Sequence, residues 1–267
     1  MKIKSKEIKN NTVHISATLT QAEVDTQKEH AVDALISTVT IKGFRQGKAP
    51  KSIAKDSIDP DKLSNHILSH VLNDIIDQVV KENKYRLLGR PVLENIDSKE
   101  DTGWEIKITM PLYPKVDVKN YKKLFSKIKK SKTNSKISDE QKIDQIYENL
   151  LKGIKIDVPV SVIDEETNYS LERLAEQAKT LNLTLEKYLK AANKTIEEVK
   201  TEYAKKAEES IKLDLILLEI AREEKIDTEL DEIKQMAQVG NIPENQYGRL
   251  KSIIDRRKTI DLLLKLC

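Results

Sequence analysis

From Ser138 to the C-terminus, apolar residues recur three and four positions apart almost without a break. That spacing gathers into one stripe on an α-helix, whereas on a strand it would scatter over both faces. Helix-start signals divide the stretch. Ser138 precedes Gln141 at the spacing of a capping box, ahead of Ile143, Ile146, Tyr147, Leu150 and Leu151, and Gly153 predicts the stop. Asp157-Val-Pro159 restarts the chain, because proline is tolerated in a helix's first turn. Thr184 caps a short helix with Tyr188 and Leu189, and Thr195 caps a long one reaching about residue 224. Within it, Ile211 to Ala221 is apolar on more than one side, which predicts the most buried helix. Asp227 or Thr228 opens the next, and Pro243 begins the last. Residues 138–267 are thus expected to be all-α. Composition agrees: charged residues reach 34%, against about 25% in an average domain, and 267 residues include only 7 Gly and 7 Pro.

The first part of the chain has a different period. Val13, Ile15, Ala17 and Leu19 alternate with polar residues, as on a half-buried strand, and Asn10-Asn11 marks a turn that makes residues 2–9 its hairpin partner. Thr20 with Glu23 has capping-box spacing and opens a helix to about residue 37. Pro60-Asp61 opens a second, carrying Leu63, Ile67, Val71, Ile75, Ile76, Val79 and Val80. Val92 to Ile96 and Trp104 to Leu112 then alternate as strands. The expectation is an α+β domain over residues 1–115.

The net charge of +3 hides three regions. Residues 1–120 hold 19 basic and 17 acidic side chains, residues 121–136 hold 7 lysines and no acid, and residues 137–267 hold 21 basic and 27 acidic. Residues 116–137 are read as a flexible linker, basic and self-repelling. Its lysines fit either a solvated hinge or auxiliary contact with nucleic-acid phosphates. The N-terminus has no secretory pattern, no run is apolar enough to span a membrane, and the single cysteine, Cys267, allows no intrachain disulfide. These features fit a cytoplasmic protein. His66 and His70 share a helix face, but Ile67 stands where a zinc protease needs glutamate. No nucleophile elbow, phosphate-binding loop or dinucleotide fingerprint occurs. No catalytic residue, metal or cofactor is expected.

The most informative segment is Gly43-Phe44-Arg45-Gln46-Gly47-Lys48-Ala49-Pro50, between the two helices of the first domain. Two glycines free the backbone, and proline stiffens the exit. Phe44 is one of only two phenylalanines, with Arg45 and Lys48 close by. An aromatic anchor among cations suits a carboxylate- or phosphate-bearing partner. Equally, such a turn could fold its Phe back into the core. The segment resembles the ribosome-docking signature of the trigger factor family, the chaperones at the bacterial nascent-chain exit. Asp157-Val-Pro159, Thr184-Leu-Glu-Lys-Tyr-Leu189, Leu213 to Ala221 and Glu224-Lys-Ile226 are similar to that family's helical domain.

The resemblance implies an elongated, multi-domain chain with an α+β ribosome-docking domain and an all-α, SurA-like chaperone domain. It implies docking through Gly43, Phe44, Arg45, Gln46, Gly47, Lys48 and Pro50 on an exit-site protein of the large subunit and nearby ribosomal RNA. Clients would be nascent or unfolded polypeptides, held on the helical domain without ATP. Leu181, Leu183, Ile242, Tyr247 and Ile253 are the client-binding candidates. A homodimer off the ribosome is left open, and no membrane partner is implied. One departure matters. The family usually carries an FK506-binding-type prolyl isomerase module between its two parts, and residues 116–137 fall below the ~40 residues a domain needs. Isomerase activity is therefore not carried over. Alternatives are a ribosome- or RNA-binding factor without chaperone activity, and a holdase independent of the ribosome.

Overall fold

A computed structural model describes residues 1–36, 44–45, 50, 53, 57–99, 103–130 and 138–266. The chain divides into two compact units, Met1–Tyr113 and Pro114–Cys267.

The first unit begins with a hairpin of β1 (Lys2–Lys9) and β2 (Thr12–Leu19). Its two-residue loop has Asn10 at φ 47° and Asn11 at φ 55°. Two successive left-handed residues are what a type I′ turn requires, and that turn matches the twist of the strands it joins. Helix α1 (Gln21–Ile36) follows, its start closed by reciprocal bonds between Thr20 and Glu23. Helix α2 (Pro60–Asn83) starts where the Asp59 carboxylate accepts the Asp61 N–H at 2.9 Å. It ends at Lys84, which turns left-handed with φ 53°. Strands β3 (Val92–Lys99) and β4 (Gly103–Pro111) complete an antiparallel sheet of order β1-β2-β4-β3.

Register explains the sheet's sidedness. Val13 lies opposite Met110, Ile15 opposite Ile108 and Ala17 opposite Ile106. Period-2 alternation therefore puts all six on one face. That face meets Val24 and Ala31 of α1 and Ile67, Val71, Ile75 and Val79 of α2. Each large aliphatic side chain so buried contributes about 1.5–3 kcal/mol. Gly103 has φ 90°, and a Cβ there would lie 2.0 Å from the Leu19 carbonyl oxygen. Only glycine allows β4 to enter beside the end of β2.

The second unit is helical: α3 (Tyr121–Lys130), α4 (Asp139–Gly153), α5 (Val160–Thr180), α6 (Leu185–Ala191), α7 (Ile196–Glu223), α8 (Leu230–Gly240), a 3₁₀ turn (Glu244–Gln246) and α9 (Tyr247–Leu266). Ser138 and Thr195 form the expected capping boxes, and Thr184 accepts the Lys187 N–H. Helix α7 buries Leu213, Leu215, Ile216, Leu217, Ile220 and Ala221 and packs against α4, α5 and α9. It is the most buried of the described helices, as its two-sided apolar pattern predicts.

Two readings are corrected. Residues 116–130 are not a free linker: Val118, Tyr121 and Phe125 are buried, and α3 packs against α4 and α9. Tyr121 and Phe125, four apart, form the apolar side of a real helix, and lysine content alone concealed it. The remainder of that segment, residues 131–137, lies outside the described residues. Neither Asp227 nor Thr228 caps α8, whose N-cap is Glu229. The Thr228 hydroxyl donates instead to Asp255 at 2.5 Å, and Asp227 pairs with Lys251 at 2.6 Å. Partners on α9 outcompete the local cap.

Candidate functional site

The candidate docking segment joins α1 to α2. Phe44 is 42% exposed, and Arg45 and Pro50 are also exposed. Gly43, Gln46, Gly47 and Lys48 lie outside the described residues. Phe44 is absent from the side chains that fill the first unit's core. Of the two arrangements open to this aromatic, exposed or folded inward, the structure has it exposed. An exposed Phe gains free energy when a partner covers it, while a buried one has none left to gain. Ile53, also exposed, was not singled out from the sequence. Its backbone N–H bonds to the Pro50 carbonyl at 3.1 Å, which places it just beyond the signature. An isoleucine between Lys51 and Lys55 was the available signal.

On the helical unit the five client-binding candidates separate. Leu181, at the end of α5, and Ile253, on α9, are exposed. Leu183 is half-buried, with its N–H bonded to the Ala178 carbonyl. Ile242 and Tyr247 are half-buried and pack against Ile233, Ala237, Leu250 and Ile254. Sequence reasoning missed Val160, Tyr169, Leu230, Met236 and Val239, all exposed. Val239 is 88% exposed although the helix around it buries Ile233 and Ala237. The signal was the width of the α8 apolar arc, broader than one neighbouring helix covers. Between α5 and α7 a groove of about 600 Å³ is lined by Glu166, Ser170, Arg173, Gln177, Tyr203 and Lys206, among others. Its mixed lining suits several weak contacts better than one shaped ligand.

Polar links hold this unit's helices in place. The Tyr121 hydroxyl donates to Glu224 at 2.8 Å, and Lys122 pairs with the same carboxylate oxygen at 2.6 Å. Burial pushes the Tyr121 hydroxyl well above its ordinary value, and the Glu224 carboxylate adds to the effect. The Lys122 and Tyr121 bonds hold Glu224 below the usual carboxylate range. Burial also pushes the Asp214 carboxyl up, against the opposing pull of Arg256 at 2.5 Å. His66 and His70 do stack on one face of α2, edge to face at 4.6 Å. Among the described residues no group of three or more His, Cys, Asp or Glu could hold a metal ion. Nor is any described helix long and apolar enough to cross a membrane.

Comparison with known proteins bears on both units. The family described as bacterial trigger factor protein (TF) matches residues 1–150, and its C-terminus matches residues 118–265, starting just ahead of α3. The trigger factor of Rickettsia massiliae is 31% identical over 166 residues, covering 61% of this chain and 36% of that protein. The trigger factor of Carboxydothermus hydrogenoformans is 28% identical over 199 residues, covering 68% of this chain and 46% of that protein. The chain thus spans between a third and a half of these relatives' lengths. A solved structure described as "Promiscuous Substrate Recognition in Folding and Assembly Activities of the Trigger Factor Chaperone" has a TM-score of 0.65. That match covers 99% of each chain at 14% identity, a likeness of fold. With models of both family regions matched, this chain belongs to the bacterial trigger factor family.

Proposed function

We propose that this chain is an ATP-independent chaperone of the cytoplasm that docks at the ribosomal nascent-chain exit and shields unfolded, newly made polypeptides. The exposed Phe44 within Gly43-Phe44-Arg45-x-Gly47-Lys48-x-Pro50 carries the reading. Phe44 is the apolar anchor, Arg45 and Lys48 meet carboxylates or phosphates, and Gly43, Gly47 and Pro50 shape the loop. Gln46 has a minor role. The partners are an exit-site protein of the large subunit and nearby ribosomal RNA. Clients meet scattered apolar side chains on the helical unit, with Leu181 and Ile253 the exposed candidates. Leu183, Ile242 and Tyr247 contribute where their half-buried surfaces reach the solvent. Many weak apolar contacts suit a binder that must accept unrelated sequences.

The test is co-sedimentation with ribosomes. Truncating an interface anchor costs about 2 kcal/mol or more, roughly thirtyfold in affinity. Phe44→Ala with Arg45→Ala should therefore remove the chain from the ribosome pellet while its circular dichroism stays unchanged. Pelleting equal to wild type would sink the docking assignment. Suppressed aggregation of an unfolded client separates a chaperone from a ribosome-binding factor. The chain should not accelerate proline-limited refolding, since no isomerase site is assigned to it.

A further inference from the structure

Helix α2 carries two histidines, His66 and His70, about one turn apart. Their neighbours Ile67 and Val71 are buried at 5% and 1% exposure, in the core that α2 shares with the sheet. The backbone that presents the pair is therefore held in place. His66 is half-buried and His70 exposed, so the pair sits where the inward stripe of α2 meets solvent. The two rings meet edge to face, with centroids 4.6 Å apart and planes at 66°. The Nε2 atom of His66 is buried, and among the described residues no hydrogen-bond partner reaches it. A buried polar atom without a partner is destabilising, and a bound ion is one way such an atom is satisfied.

Two imidazoles at i, i+4 on one helix are a chelating pair. Zinc proteases use this spacing: both histidines bind the metal, and the glutamate between them serves as base. Ile67 in place of that glutamate removes the base and leaves both ligands. Distance then selects the coordination. With metal–nitrogen bonds of about 2.0–2.1 Å, and a ring nitrogen about 1.2 Å from its centroid, two imidazoles at a right angle about one ion have centroids about 4.5 Å apart. A tetrahedral angle spreads them to about 5.2 Å. The observed 4.6 Å matches the right angle. Being exposed, His70 can turn a ring nitrogen toward the same point as His66 Nε2 without disturbing the core. Tetragonal nitrogen and oxygen ligation suits Cu²⁺ and Ni²⁺, and Cu²⁺ stands highest in the affinity order of divalent first-row metals. Among the described residues no third His, Cys, Asp or Glu joins the pair, so water completes the shell and the ion is exchangeable.

We propose that His66 and His70 form a two-histidine site for a divalent late transition metal, Cu²⁺ before Ni²⁺ and Zn²⁺. The bound ion clips neighbouring turns of α2 together. The site rests on these two side chains alone and is independent of the ribosome-docking reading.

The full chain carrying Cys267→Ser, which removes the one thiol, is titrated by calorimetry with CuCl₂ or NiCl₂ alone. Cu²⁺ binding is also read by electron paramagnetic resonance. The expected result is one tight equivalent per chain, Cu²⁺ tighter than Ni²⁺, with a nitrogen-ligated Cu²⁺ spectrum. Two linked ligands bind on the order of a hundredfold more tightly than one. His70→Gln, at an exposed position, should therefore lose about a hundredfold in affinity with its circular dichroism unchanged. His66→Gln should lose as much. His14→Gln with His30→Gln should bind as the parent does. Saturating Ni²⁺ should slow hydrogen exchange in α2 around residues 66–70 and leave the helical unit unchanged. Parent affinity in His70→Gln overturns the proposal. So does an equal loss in the His14 and His30 variant, which places binding elsewhere. Absence of a tight equivalent in the parent also overturns it and leaves the ring contact as packing.

Discussion

The two units reach stability by different routes. The first has one continuous apolar core, in which two helices cover the alternating face of a four-stranded sheet. Among its described residues the large exposed apolar side chains are Ile8 and Val92 on the outer strands and Phe44 and Ile53 on the helix–helix connection. The second unit stitches helices together with distant polar pairs as well as apolar contacts. Tyr121–Glu224, Thr228–Asp255, Arg256–Asp214 and Lys258–Glu232 each join separate segments. It also leaves many apolar side chains uncovered, from Val160 to Ile253. A sheet closed by helices uses the apolar residues of its covered face on itself, and leaves only a few, such as Ile8 and Val92, outside. A helical frame pinned partly by polar links can keep more of them outside.

The sharpest break of this comparison is Phe125→Ala. Removing a buried Phe costs about 3–5 kcal/mol. Trp104, the single tryptophan, packs against the first unit's core and reports on that unit. Denaturant unfolding followed by Trp104 fluorescence should stay in place while the helical circular dichroism transition moves to lower denaturant. A common shift of both signals would show that the units unfold as one.

Asp255 tests the polar route. Burial alone would raise its carboxyl, but bonds from Lys251 and Thr228 outweigh that and hold it below the ordinary range. A carboxyl lowered on folding contributes stability above its unfolded value and loses it as pH falls through the folded one. Asp255→Ala should cost about 1.5–3 kcal/mol at neutral pH, because Thr228 is left buried without its acceptor. Wild type should lose more stability than this variant as pH drops below about 4, read by thermal melts.

Gly103→Ala probes the sheet. Left-handed backbone and the close Leu19 carbonyl should together cost about 1–3 kcal/mol. The Trp104 transition should move, carrying with it only the share of the helical signal that α1 and α2 supply. The smallest effect belongs to Thr195→Ala, at about 1 kcal/mol for a lost N-cap. Hydrogen exchange should rise in the first turn of α7 and leave the buried turns around Ile216 protected.

The sequence by itself determined what acts over a few residues. Period-2 alternation set the inward face of β2, and 3–4 spacing set the stripes of α2 and α4. Ser138, Thr184 and Thr195 marked helix starts because a cap bonds only two or three residues ahead. The proposed docking segment could be picked out for the same reason, being eight consecutive residues. The tertiary structure decided what depends on distant partners. Glu224 lies 103 positions from Tyr121, and no local pattern announces that bond. It turned an apparent lysine linker into a seated helix. Asp255 lies 27 positions from Thr228 and took the hydroxyl that local rules assigned to a helix cap. Exposure of Phe44 and Val239, and half-burial of Ile242 and Tyr247, were settled the same way. A periodic stripe says which residues are apolar, and only the neighbouring helix says how much of the stripe it covers.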